Sequence, residues 1–393
     1  LFTFAVLLIY CAIYCIIWVL QQKGRRKNML YDFCPVKKET AFRVLSVIAL
    51  NENLSRKEIA ENCGLSKVTA GKIVDFLACK GIVAEHTRAE SSGAGPHSLC
   101  VLINPRYNCL VTDLYSKNFT TDIVSLREKR MAIIPYSYDS RRFSDDNLRM
   151  YLRDVVKVQQ KFSPGYCIGA GLIMPDNYFM GEEVNFADGV SSHGTAVNIS
   201  REILSPKRIV AGNKIELTLK YLLSSKKYSN KSSIIYICLT DKGIRTAALI
   251  NNTPVYFANG RYADIGSVRL RGRKSVDFQL THSKSPEEYA DAVAFACANA
   301  IFFYAPDVII LDSEIHKHIV GLREMVISSL TDYYAIGEKI IPQIACPDKS
   351  SSAFASLGIM CALRERFIYE TTERFFEEKK FQKNGNNETS GQT

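Results

Sequence analysis

From Thr40 onward, apolar residues recur at helical spacing: Phe42, Val44, Leu45, Ile48 and Leu50. This period predicts an amphipathic helix from about Glu39 to Asn51. Ser55-Arg56-Lys57-Glu58 then reads as a capping box, with the Ser hydroxyl accepting from the Glu58 N–H and the Glu reaching back. Ile59, Ala60 and Cys63 form the inner face of this short second helix, and Gly64 ends it. A left-handed turn there is costly for any residue with a β-carbon. Ser66 caps a third helix that runs to about Lys80, with Ala70, Ile73, Val74 and Leu77 facing inward and Gly81 closing it. Two short helices, a tight Gly-containing turn and a small Ala60 at the crossing make a helix-turn-helix.

A hairpin is predicted next. Ile82-Val83-Ala84-Glu85 is strand-like, residues 86–97 form a polar, Gly-containing loop, and Ser98 to Ile103 is the return strand, ended by Asn104-Pro105. A hairpin directly after a recognition helix makes a winged helix. Helix-turn-helix units put the N-terminal end of the recognition helix into the major groove. The residues exposed there are Ser66, Lys67, Thr69 and Lys72. The lysines suit phosphates or guanine edges, and Thr69 suits a base edge or a thymine methyl. In the wing, Arg88 is the candidate for a phosphate or minor-groove contact, with His86 and His97 as weaker ones. The partner so predicted is double-stranded DNA; the bland alternative is a three-helix module with solvated lysines.

Beyond Pro105 the pattern changes. Strands are expected at Asn108 to Leu114, Phe119 to Leu126 and Met131 to Tyr136, then a helix from Ser144 to about Gln160 and a buried strand and turn from Tyr166 to Pro175. Ile209-Val210 leads into a helix from about Lys214. Ser233 to Leu239, Ile244 to Ile250 and Val255 to Ala258 form a second meander, followed by a helix from Glu287 to Phe303, a strand from Asp307 to Leu311 and a last helix from Ser351 to about Phe375. Strands in threes followed by a helix, twice over, predict a multi-domain α/β protein with two lobes around a cleft.

Composition narrows this frame. Lys plus Arg is 50 and Asp plus Glu is 40, a net charge of +10, which permits an anionic partner without requiring one. The 12 cysteines include no C-x-x-C pair and sit mostly in apolar runs, so a reduced, cytoplasmic protein is expected. Residues 1–28 stand apart: Leu1 to Leu20 is almost wholly apolar and Lys23-Gly24-Arg25-Arg26-Lys27 follows. Read literally, residues 1–22 are a membrane-spanning helix with its basic end in the cytoplasm. The alternative is that the chain proper starts at Met29 and that residues 1–28 are upstream sequence. The expected division is residues 1–28, a winged helix over 29–105, an α/β part over 106–376 and a disordered polar tail over 377–393.

The runs Leu54 to Ala60, Gly64 to Thr69, Lys80-Gly81-Ile82-Val83, Ser92-Gly93-Ala94-Gly95-Pro96 and Leu102-Ile103-Asn104-Pro105 together resemble the N-terminal part of the ROK family (repressors, open reading frames, kinases). They are most similar to its xylose-repressor branch, which carries a MarR-type winged helix. The wing of that branch reads G-G-R-P; here Ala94 and Gly95 stand at the second Gly and the Arg. The resemblance implies that the α/β part has the actin-like ATPase fold of sugar kinases, and it covers about residues 40–370.

Departures from the family's kinase motifs imply a non-enzyme. The family's Asp-x-Gly-Gly-Thr-Lys turn is here Asp113-Leu114-Tyr115-Ser116-Lys117-Asn118, without the glycines that let backbone N–H groups reach phosphate. The second, Gly-rich phosphate loop is here Asp241-Lys242-Gly243-Ile244-Arg245-Thr246-Ala247. Asn213 stands where the family has its Asp base, and an amide does not accept that proton. Ala263-Asp264-Ile265-Gly266-Ser267 replaces the zinc-binding Glu-Ile-Gly-His, and no Cys lies between Cys238 and Cys297, so no metal and no cofactor are expected. Asn213, Asp264 and Asp188 are the candidates for binding a small effector such as a sugar, with a helix cap (Asn213) and a turn residue (Asp264) as the plain alternatives. The expected protein is a DNA-binding regulator, a repressor, whose inactive ROK part dimerises. A sugar kinase with an accessory winged helix and a membrane-tethered regulator are the alternatives.

Overall fold

The computed structural model describes residues 37–51, 53–87, 99–114, 120–135, 145–163, 166–174, 193–204, 208–228, 230–240, 243–255, 265–269, 274–313, 319–347 and 351–388. The expectations placed on residues 1–28, on Arg88, His97 and the wing tip, on Asp188 and on Asp264 lie outside the described residues.

The N-terminal unit is α1 (Lys38–Leu50), β1 (Leu54–Ser55), α2 (Arg56–Asn62), α3 (Lys67–Cys79), β2 (Val83–Thr87) and β3 (Leu99–Ile103). Val44, Leu45 and Ile48 of α1, Ile59 of α2 and Ala70, Ile73, Val74 and Leu77 of α3 are all buried together. Each fully buried aliphatic side chain is worth about 1.5–3 kcal/mol. The box at Ser55 is complete: its hydroxyl accepts from the Glu58 N–H, and the Glu58 carboxylate accepts from the Ser55 N–H at 2.7 Å. Gly64 has φ +58°. β2 and β3 pair antiparallel, Glu85 opposite Val101, and β1 adds a third strand beside β3. That two-residue strand was not predicted, being too short to show a period.

The α/β part repeats one strand order. Its first sheet is β6 (Arg130–Pro135), β5 (Thr120–Ser125), β4 (Asn108–Asp113), β7 (Cys167–Met174), β8 (Arg208–Asn213). Its second is β11 (Thr253–Pro254), β10 (Gly243–Ile250), β9 (Ser233–Thr240), β12 (Val308–Ser313), β13 (Gln343–Ala345). In both, an antiparallel meander is extended on one side by two parallel strands. This is the two-lobed arrangement that the alternation of strand triplets and helices predicted.

Helices cover the sheets. α4 (Asp145–Phe162) and α5 (His193–Leu204) bury Leu148, Leu152, Ala196 and Ile199 against the outer face of the first sheet. α7 (Val276–His282), α8 (Pro286–Tyr304) and α9 (Leu322–Ser328) do the same for the second. Between the sheets lie α6 (Lys214–Ser224) and α10 (Ser351–Glu388). Gly358 lets these two touch, because a Cβ there would collide with the Leu217 carbonyl. The last helix was expected to stop near Phe375. It continues to Glu388, into the segment expected to be a disordered tail; Glu377, Glu378, Lys379 and Lys380 are strong helix formers that the polar composition had hidden.

α10 also joins the two units. Its Phe375 packs edge-on against Phe76 of α3 at 4.9 Å between centroids, Lys38 of α1 pairs with Glu373, and a single apolar core runs through both units. Among the described residues no helix is long and apolar enough to cross a membrane.

Candidate nucleic-acid interface and ligand cleft

The recognition helix α3 begins at its cap. Ser66 is exposed; its hydroxyl accepts from the Thr69 N–H at 3.1 Å and shares a hydrogen bond with the Thr69 hydroxyl at 2.9 Å. Both candidates are therefore engaged in building the helix start, and Thr69 is only half-exposed. Lys67 and Lys72 are exposed and make no ion pair among the described residues. The structure thus brings Ser66, Lys67, Thr69 and Lys72 together on one end of one helix, as the sequence predicted.

It also adds Val68, which is 67% exposed between the two lysines and was missed. The signal was present: Val68 falls outside the inward set Ala70, Ile73, Val74 and Leu77. An aliphatic side chain here fits a thymine methyl. Arg56 was also overlooked. Its guanidinium bonds Asp75 of α3 at 2.5 Å and Glu85 of β2 at 2.8 Å, tying the recognition helix to the wing and cancelling the carboxylate on its exposed side. The helix N-terminus contributes partial positive charge in the same place.

At Asn213 and at Gly243 the described polar groups are turned on one another. Asn213 is buried and caps α6, its amide oxygen accepting from the Glu216 N–H at 2.8 Å. The helix cap, one of the two readings for Asn213, is present. At the second phosphate loop, Gly243 has φ +116°. A Cβ at Gly243 or at Gly266 would collide with the carboxylate of Asp277, the second residue of α7. That carboxylate accepts from the Ile244 N–H at 2.6 Å, and Arg245 lies 3.9 Å away and donates to the Ile244 carbonyl at 2.8 Å. A backbone N–H that a phosphate-binding turn would offer is here taken by a carboxylate. No local sequence signal announced Asp277, because it acts across 33 residues.

In the first lobe, Asp122 of β5 is buried beneath α10. Burial pushes its carboxyl above the ordinary range, opposed by Arg130 at 3.0 Å. The thiols of Cys109 and Cys297 are fully buried and pushed up by that burial, which leaves them protonated and unreactive at neutral pH. Among the described residues no group of three His, Cys, Asp or Glu side chains could hold a metal ion.

No family model matches the chain. It is 26% identical over 234 residues to a xylose repressor of Staphylococcus xylosus, a match spanning 58% of this chain and 60% of that protein's length. Among solved structures it superimposes on a ROK family transcriptional regulator, a homologue of the E. coli Mlc protein, with a TM-score of 0.59 at 12% identity, covering 85% of this chain and 98% of that one. A ROK hexokinase from Thermus thermophilus is matched at a TM-score of 0.49 and 11% identity over 65% of this chain and 97% of that one. The chain is therefore similar in sequence to a repressor and has the fold of a ROK family transcriptional regulator.

Proposed function

We propose that this protein is a DNA-binding transcription regulator, a repressor, in which α3 enters the major groove and the ROK-like part sets the spacing of two readers without phosphorylating a sugar. One observation carries the reading: on a three-helix unit backed by the paired strands β2 and β3, Lys67, Val68 and Lys72 project from the exposed N-terminal end of α3 while Asp75 on the same helix is neutralised by Arg56. The sequence likeness to a xylose repressor supports it.

The non-enzymatic part of the reading rests on the cleft. Asn213 serves as a helix cap, and the carboxylate of Asp277 sits against Gly243 of the phosphate loop and against Gly266. A nucleotide phosphate placed there would meet a negative charge where the motif needs N–H donors. A homodimer would present two recognition helices at half-site spacing on a roughly palindromic operator. A small effector, a sugar by analogy with the curated relative's name, would act by binding one lobe arrangement better than the other.

The test is titration of the protein onto DNA from upstream of its own gene, against random competitor and over a range of salt. Tight binding that survives competitor is expected, weakening steeply with salt. Binding no tighter than to random DNA, across both that region and a genomic library, would sink the reading. Incubation with ATP and a panel of hexoses and pentoses should give no phosphorylated sugar.

A further inference from the structure

The joint between the two units holds a half-open pocket of about 320 Å³. Its walls come from both sides: the C-terminal end of α1 and the end of β3 in the winged helix, and α6, the β5–β6 turn and α10 in the α/β part. It is separate from the cleft, since it lies at the Tyr221–Ser224 end of α6 whereas Asn213 marks the other end, about 12–16 Å away at 1.5 Å per residue. The space would hold about ten waters, or an organic molecule of similar bulk.

The charges in its lining favour an anion. Arg127, Lys227 and Arg364 face a single carboxylate, Glu128. Arg364 is the informative one. It is 3% exposed, yet its described contacts are all long: 3.5 Å to the Ala49 carbonyl, 3.4 Å to the Leu126 carbonyl, 3.5 Å to Glu128 and 3.6 Å to the Cys361 sulfur. A guanidinium carries five N–H donors, and its bonds to carboxylates are normally 2.7–2.9 Å. A buried cation held this loosely, on the wall of a pocket, is arranged for an acceptor that enters the pocket. Beside it, Leu102, Ile103 and Tyr221 supply apolar surface, and the Ser224 and Ser225 hydroxyls supply polar points.

We infer that this joint is a binding site for a small organic anion, a carboxylate or a phosphate monoester, seated on Arg364 and Lys227 and touching both units at once. Occupancy fixes the winged helix relative to the α/β part and thereby changes affinity for DNA; this second clause rests on the function proposed above. By linkage, DNA must change affinity for the anion by the same factor.

Calorimetry on the full chain without DNA tests the site independently of the DNA reading, with gluconate, glycerol 3-phosphate and inorganic phosphate as probes. Saturable binding of gluconate or glycerol 3-phosphate is expected, and which of the two binds tells carboxylate from phosphate. The Arg364→Met variant should weaken it by about 30-fold or more. Because removing a buried arginine can unfold the protein, the exposed Lys227→Glu variant is measured beside it, with a loss of about threefold to tenfold expected. No saturable binding up to 10 mM (roughly the weak limit for a built site), binding indifferent to Lys227→Glu, or inorganic phosphate binding as well as the organic anions would overturn the site. Binding that leaves DNA affinity unchanged would overturn the linkage.

Discussion

The N-terminal end of α3 and the β9–β10 turn are both places where the fold brings helix termini and charged side chains together, and they have spent those groups differently. At α3 the internal bonds are made by Ser66, Thr69 and the Arg56–Asp75 pair, and Lys67, Val68 and Lys72 remain turned to solvent. At the turn, Asp277 takes the Ile244 N–H, Arg245 takes the Ile244 carbonyl, and Thr240 donates to the Gly243 carbonyl at 2.9 Å. Lys67 and Lys72 make no ion pair among the described residues, whereas the described donors beside Gly243 are satisfied internally. What separates the two regions is where each donor finds its acceptor, which the fold alone does not fix.

The largest effect should come from emptying the open region. Replacing Lys67 and Lys72 together by Ala should weaken specific DNA binding by about 100-fold or more, at about 1–3 kcal/mol per lost contact. A residue that meets only phosphate should in addition lower the salt slope by about one. Loss confined to one operator position would instead assign that lysine to a base edge. Thermal unfolding of this double variant should be unchanged, since neither side chain is buried.

Opening the closed region should do the reverse. Asp277→Ala removes the acceptor of the Ile244 N–H and should cost about 1–3 kcal/mol in denaturant unfolding, with DNA affinity unaltered. Appearance of ATP-dependent sugar phosphorylation in that variant would mean that Asp277 is a plug over working machinery, and the comparison would fail. Ser55→Ala, which breaks the capping box of α2, should cost about 1 kcal/mol, measured as a lowered unfolding midpoint.

The smallest effect concerns pH. Asp122 has its carboxyl raised by burial, so the folded protein binds that proton more tightly than the unfolded chain. Its contribution to stability is then fully present below the ordinary carboxylate value and is lost as pH rises through the raised one. Relative to Asp122→Asn, the unaltered protein should fare best in acid and lose ground toward neutral pH. A difference that is flat with pH, or that grows toward neutrality, would show that the Arg130 pair outweighs burial.

Most of the winged helix was legible in the sequence because its signals are local. Ser55 and Glu58 sit three residues apart, Ser66 caps the helix it precedes, and the inward faces repeat within two turns. The doubled α/β pattern was legible for the same reason, since each buried strand is a run of apolar residues such as Ile234 to Leu239. What escaped was short or distant. α5, α7, α9 and β13 were not predicted; α7 and α9 have only seven residues and β13 three, too few to establish a period. Asp277 meets Gly243 and Gly266 only once α7 is laid against β10, and Arg364 reaches Ala49 across 315 residues. Of the cleft candidates, Asn213 proved to be a cap, which its position before Lys214 allowed but did not decide.

The contact between α10 and the winged helix has a consequence for how the protein is made. Phe76 sits in one core with Phe367 and Phe375, contributed by the last described helix. Domains generally fold in the order in which they leave the ribosome. Here the winged-helix unit cannot cover the apolar side that holds Phe76 until Phe367 and Phe375 of α10 have been translated. A nascent chain stopped before α10 would carry the three helices of that unit with a bare flank, exposed to chaperones and proteases.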